Sequence, residues 1–309
     1  MTENGKVTLT ERAVAGLFCV QRYRFLTIDQ FARASGLHRI TAANKLLFFQ
    51  QCGLLGYFGN TGLRGYGKTP KAYFLTRKGW ELLAAESAIP AELLGRYREV
   101  KVEAAWSPQM SHRLRTVDLL IALERAVVSR PHLAIVKTFL EYRRLKRGER
   151  LVQETTDYVD AEESAENKII PDAAYILENT QTKRRALFFL EMDMATERIT
   201  SAYIGNKQSV LHRKFSQYDR YLKSFRYTQT YAPYGEFRSF ILLFVTLQDA
   251  RIEHIRAELH DLPEDLSGYY RLTTFDQARD DFLGAIWKSR LLSDTTTYPL
   301  VREESAVSD

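Results

Sequence analysis

Apolar positions between residues 10 and 53 recur at helical spacing and stop where helices stop. In TERAVAGLFCVQRY the positions Ala13, Leu17 and Val20 fall on one face and predict a first helix. Thr27 precedes Ile28-Asp29-Gln30, a Thr N-cap with Gln at the third helical position, so a second helix starts there and ends at Gly36. HRITAANKLLFFQQCG predicts a third helix ending at Gly53, with Ile40, Ala43, Leu46 and Leu47 as the inward stripe. That register turns Arg39, Thr41, Asn44 and Lys45 outward. Two aromatic-rich segments, LLGYFGN and KAYFLTR, read as strands joined by the glycine-rich, basic TGLRGYGKTP.

Further along, helical and strand patterns alternate. A connector helix is expected over 87–106, with a boundary at Ser107-Pro108. Helices are then expected near 109–129, 206–225, 249–261 and 276–290. Strands are expected near 133–142, 169–177, 185–193, 237–247 and 270–275. The acid-rich stretch 153–168 reads as a solvated loop and VREESAVSD as a disordered tail. The fold class is α/β, α+β overall, with a mixed sheet. The domains expected are 1–90, a connector at 91–106, a larger domain at 107–295 and a tail at 296–309.

The charge is unevenly placed. The chain has 309 residues and a formal net charge of +6, but residues 1–100 alone carry a net of +7. A basic block confined to one domain is the usual footprint of a nucleic-acid-binding module. With three helices followed by a basic hairpin, residues 10–86 resemble a winged helix-turn-helix. That resemblance implies duplex DNA as partner. Arg39, Thr41, Asn44 and Lys45 would lie on the helix entering the major groove, and Arg64, Lys68 and Lys71 of the hairpin would meet phosphates.

Composition removes other classes. The longest apolar run, Phe240–Val245, is far short of the roughly 20 residues that span a membrane. No secretory signal is visible, and two cysteines, Cys19 and Cys52, are too few for a disulfide framework or a Cys-rich zinc site; both are expected to be buried. A cytoplasmic protein with no membrane association is the expectation. Walker A, GxGxxG, GxSxG and HExxH patterns are missing from the sequence.

Chemistry concentrates in one place. Asp172 follows a proline on a strand-like segment, and Glu191 and Asp193 close the apolar strand FFLEMD. Residues i and i+2 of a strand share a face. Neighbouring carboxylates at the end of a buried strand repel and resist desolvation, so a compensating cation is expected. A hard divalent ion, Mg2+ or Mn2+, held by Asp172, Glu191 and Asp193 answers that need. Glu141, closing another strand, either joins this site or pairs with Arg143 or Arg144.

The spacing from Pro171-Asp172 to Glu191-Met192-Asp193 resembles the PD-(D/E)xK nuclease pattern in variant form. The wider chain, roughly 10–290, resembles the replication-relaxation proteins, which include plasmid mobilisation relaxases on that nuclease-like fold. The resemblance implies site-specific, metal-dependent nicking of duplex DNA at a plasmid or mobile-element origin, in conjugation or replication. It brings His112 and Asp118 on the first helix of the larger domain, and Lys214, Tyr218 and Tyr221 on a later helix, into the set. Two positions depart from the pattern. Val117 stands where the family favours Asn, and Asp193 stands in the place of the nuclease lysine. Lys214 would supply that charge, with Lys207 as the alternative. Tyr218 and Tyr221 are either covalent nucleophiles or packing residues. Accessory mobilisation or replication proteins and a homodimer are compatible partners. The competing readings are a catalytically inactive DNA-binding regulator on the same scaffold, and a protein-interaction adaptor.

Overall fold

The computed structural model describes residues 10–59, 70–86, 89–90, 94–100, 108–194 and 209–301. The chain divides into two compact units, Met1–Ile121 and Ala122–Asp309.

The first unit runs α1 (Glu11–Tyr23), β1 (Leu26–Thr27), α2 (Ile28–Ser35), α3 (Arg39–Gln51), β2 (Leu55–Phe58), β3 (Ala72–Leu75) and α4 (Arg77–Ala85). Its starts and stops follow local chemistry. Thr27 and Gln30 form the reciprocal capping box at α2, and Gly36 closes that helix with φ +67°. β3 pairs antiparallel with β1 and with β2, from Leu55↔Leu75 to Phe58↔Ala72. Thr76 caps α4 and bonds to Leu54 O at 3.0 Å. Gly79, one turn on, lies so close to that segment that a Cβ would come within 2.2 Å of Leu54 O.

The register of α3 differs from the expectation. Ala42, Leu46 and Phe49 are buried, whereas Ile40 is 64% and Leu47 47% exposed, with Phe48 beside them. The run KLLFF offers apolar residues on more than one face, and the core selects Leu46 and Phe49. Cys19 and Cys52 are half-buried. Residues 95–100 are not helical, so the expected connector helix does not form there; 101–107 lie outside the described residues. The next helix is α5 (Pro108–Val128), and the division between the units falls within it.

The second unit is mixed α/β. Its main sheet has seven strands in the order β14-β13-β12-β11-β10-β9-β4. These are β4 (Leu133–Leu140), β9 (Ala173–Asn179), β10 (Arg185–Met192), β11 (Phe240–Thr246), β12 (Tyr270–Thr274), β13 (Trp287–Lys288) and β14 (Thr297–Tyr298). β10 pairs antiparallel with β9 and parallel with β11; Leu187 faces Ile176 on one side and Phe240 on the other. It is buried from Leu187 to Met192, as a strand apolar on both faces requires. Helix α6 (Val210–Ser224) packs Leu211, Phe215, Tyr218 and Leu222 into the same core as Phe189, Phe240 and Phe244. Then come α7 (Arg226–Thr230), α8 (Asp249–Glu258) and α9 (Phe275–Asp280).

Three expectations are corrected. The acid-rich stretch is not a bare loop: hairpin β5 (Arg144–Arg147)/β6 (Arg150–Gln153) precedes it, and β7 (Asp157–Tyr158)/β8 (Lys168–Ile169) brackets it. The helix expected to 290 ends at Asp280, and β13 follows. Thr297 and Tyr298 of the expected tail pair with β13; residues 302–309 lie outside the described residues.

Candidate functional site

The carboxyl end of β10 brings Asp172 and Glu191 together, with α6 laid against them. Glu191 is 2% exposed. Lys214 Nζ donates to its Oε2 at 2.7 Å, and the Tyr218 hydroxyl donates to its Oε1 at 2.5 Å. Lys214 and Tyr218 are four residues apart on α6, hence stacked on one helix face, and each takes one oxygen of the same carboxylate. Burial pushes the Glu191 carboxyl up to about 7; Lys214 works against that shift and the neighbouring Asp172 charge adds to it. Asp172 Oδ2 accepts from the backbone N–H of Met192 at 2.7 Å, which pins its carboxylate next to Glu191.

Asp193 does not join this pair. β10 closes at Met192, and past its end the strand alternation no longer fixes the side chain. The Asp193 carboxylate is held as a fork by Arg251 of α8, which donates from Nε to Oδ2 and from Nη2 to Oδ1 at 3.0 Å; Thr246 Oγ1 donates to Oδ2 at 3.0 Å. Arg251 carries no signal of this role in the sequence, because nothing in an isolated helix sequence says which carboxylate it will meet.

A cleft of about 730 Å³ opens beside Glu191 and Lys214, lined also by Lys168, Arg213, Gln217 and Arg220. The β7–β8 segment forms its rim and is tied to α6. Arg220 bonds to Asn167 Oδ1 at 3.1 Å and to Asp160 at 3.4 Å, Gln217 bonds to Glu166 O at 2.6 Å, and the Tyr221 hydroxyl donates to the buried Asp157. Tyr218 and Tyr221 are both fully buried, and burial raises their hydroxyls well above the ordinary tyrosine range, with Glu191 and Asp157 adding to it. Both therefore stay protonated donors at neutral pH. Gln153 donates to the Glu141 carboxylate, and the Glu141 backbone N–H donates to Asp172 O at 3.2 Å.

Lys207 apart, the remaining expected residues belong to the first unit. Asp118 is ion-paired with Arg33 of α2, Val117 is buried, and the carbonyl of His112 accepts from Thr116 at 3.2 Å. On α3, Thr41 and Asn44 are exposed as expected. Arg39 pairs with Asp29 at 2.6 Å. Lys45 turns back to Arg12 O at 2.5 Å, and its ammonium is depressed by burial and by the Arg12 charge. Lys71 is exposed, its ammonium 4.4 Å from the Tyr57 ring centre. Arg64, Lys68 and Lys207 lie outside the described residues.

The model of the replication-relaxation family matches residues 17–235. The chain belongs to the replication-relaxation family. Membership places it in DNA processing linked to replication, with DNA as partner. None of the curated proteins matches the chain. The matched span of this replication-relaxation protein holds Asp172, Glu191, Asp193, Lys214 and Tyr218 but ends before β11, so Thr246 and Arg251 lie beyond it. None of its described helices is long and apolar enough to cross a membrane.

The fit of a divalent ion follows from the donors. Among the described residues no group of three or more His, Cys, Asp or Glu side chains is arranged to hold a metal. The three-carboxylate set Asp172, Glu191 and Asp193 does not assemble, because Arg251 takes Asp193. Asp172 and Glu191 remain as a pair. Two carboxylates suit Mg2+, which keeps several waters and takes other oxygens from phosphate.

Proposed function

We propose that this protein nicks one strand of duplex DNA at an origin of a plasmid or other mobile element, at the site formed by Asp172, Glu191 and Lys214. The observation that carries the reading is Lys214 Nζ at 2.7 Å from the buried Glu191, beside Asp172, on the wall of a cleft rich in cations. A buried carboxyl perturbed by desolvation and by a specific charge partner in a cleft is a functional-site candidate.

Asp172 and Glu191 would hold Mg2+ or Mn2+, which supplies phosphate polarisation and a bound water of lowered pKa. Lys214 neutralises the charge that develops on the scissile phosphate, in the place of the nuclease lysine. Tyr218 orients Glu191 and is not the nucleophile, since its hydroxyl is buried and donated to that carboxylate. Lys168 and Arg213 on the cleft wall receive flanking phosphates. Residues 10–86 serve as a winged-helix module, with Thr41, Asn44 and Lys71 facing duplex DNA. The setting is the cytoplasm, with mobilisation or replication proteins, or a second copy, as accessory partners.

The Arg251–Asp193 fork supports a second reading, a regulator that binds DNA without cutting, because it removes one acid from the expected ligand set. Supercoiled plasmid carrying the native flanking DNA separates the two when incubated with the full chain and Mg2+ or Mn2+. Open circles from the wild type and none from Glu191→Gln support nicking. Tight duplex binding with no open circles from the wild type sinks it and leaves the regulator.

A further inference from the structure

The two ends of the main sheet differ in charge. Where β10 and β11 finish lie Asp172, Glu191 and Asp193. Where they begin, the chain gathers cations. The β9–β10 hairpin carries Lys183, Arg184 and Arg185, the loop entering β11 adds Arg238, and Arg130 precedes β4. The β4 segment is joined to the hairpin by Thr180 N–H donating to His132 O at 2.8 Å. The carboxylates here are Glu178 and Glu236. Glu178 is already engaged, at 2.7 Å by Arg185 and 3.8 Å by Lys183. Arg184 and Arg238 are exposed, and among the described residues neither forms an ion pair.

Lys183, Arg184, Arg185 and Arg238, with Glu236 and Ser239, line a cleft of about 800 Å³. Its wall is fixed, because Arg185 Nη1 donates to Tyr234 O at 2.5 Å while Nε holds Glu178. Lys183 sits at φ +58°, a left-handed position that Gly or Asn would occupy at lower cost. A concave surface lined by Lys183, Arg184, Arg185 and Arg238 against the single carboxylate of Glu236 is suited to phosphate oxygens.

We infer that this cleft is a second DNA contact, holding the backbone of duplex that flanks the reacting segment, without sequence preference. The inference rests on the DNA-processing reading above. Glu191 lies six residues beyond Arg185, about 20 Å along the strand at ~3.3 Å per residue. The cleft lies at the opposite end of the sheet from Glu191, so only DNA that continues past the reacting segment reaches it. The cleft therefore reads the length of flanking duplex.

The test uses the full chain and an Arg184→Ala/Arg238→Ala variant. Binding is measured against salt on a hairpin with a short duplex stem of about six base pairs, roughly 20 Å and too short to span both places, and on a duplex of about 40 base pairs. On the long duplex the variant's log–log salt slope is expected to fall by about two, near 0.9 per lost phosphate contact, with at least tenfold weaker binding at about 0.15 M salt. On the short duplex the two proteins bind alike, and nicking of saturating long DNA persists. Unchanged affinity and slope on the long duplex overturn the inference, and that is also the result if the cleft takes an acidic protein instead. Equal losses on both lengths overturn it too, since the arginines would then belong to the reacting footprint. A wild type that binds neither duplex at any salt removes the DNA-processing reading itself.

Discussion

Helix α6 carries two buried acid–base constellations five residues apart, and they are built differently. At Asp219 the Arg290 Nη1 meets both carboxylate oxygens at 3.1 Å, Nη2 donates to Pro263 O at 2.7 Å, and the Tyr270 hydroxyl completes the set. The guanidinium also lies over the Tyr270 ring, 4.2 Å from its centre. Both carboxylate oxygens are engaged, and the planar guanidinium is fixed by donors from two of its nitrogens. At Glu191 the partner is a lysine, whose point charge moves easily, and the carboxyl is pushed up to about 7. The first arrangement locks a helix to a sheet. The second holds a charge that is uncomfortable without a cationic ligand. Asp193 with Arg251 follows the Asp219 pattern, which is why Asp193 is better read as a brace than as a metal ligand.

The sharpest break of this contrast is removal of the two acids. Asp172→Asn and Glu191→Gln are expected to abolish nicking of supercoiled plasmid while melting at or above the wild-type temperature. Severe unfolding of both would make the Glu191 end structural, like Asp219. Next in size, Lys214→Ala should slow nicking by about 10²–10³, the usual worth of a charge aimed at the transition state. Lys207→Ala should be mild, and a reversed ranking of initial rates would transfer the role to Lys207.

Asp219→Ala should do the opposite. It strands Arg290 in the core and should cost about 3–5 kcal/mol of stability by denaturant titration. Nicking should follow the folded fraction.

The pH dependence of Glu191→Gln sharpens the comparison further. Because the folded carboxyl is raised from 4.5 to about 7, its contribution to wild-type stability is present below pH 4.5 and is lost as pH rises through 7. The variant should therefore gain on the wild type between pH 5 and 8, by an amount on the order of 3 kcal/mol at the upper end. A gap that stays constant with pH would mean that Glu191 is ionised throughout.

The smallest effects are expected from Tyr218→Phe and Tyr221→Phe, which keep the rings and lose only hydroxyls. Both should retain substantial nicking. A covalent protein–DNA adduct on a denaturing gel that disappears in either variant would restore a tyrosine nucleophile.

The sequence by itself determined what depends on local pattern. The capping box at Thr27, the stop at Gly36, the buried run of β10 and the acids at its end were all readable, because caps, turns and strand periodicity are short-range effects. The basic block in residues 1–100 was readable as well, since charge is additive along a chain. Only the tertiary structure decided which partner each charge meets. Arg251, fifty-eight residues after Asp193, takes the carboxylate that spacing had assigned to a metal. Lys214 reaches Glu191 because α6 packs its Phe215 and Tyr218 face onto the sheet. The stripe of α3 shifted for the same reason: Ile40 and Leu47 are as apolar as Leu46 and Phe49, and only the shape of the core chose between them. Partner choice among like residues is a long-range packing outcome, and no local pattern encodes it.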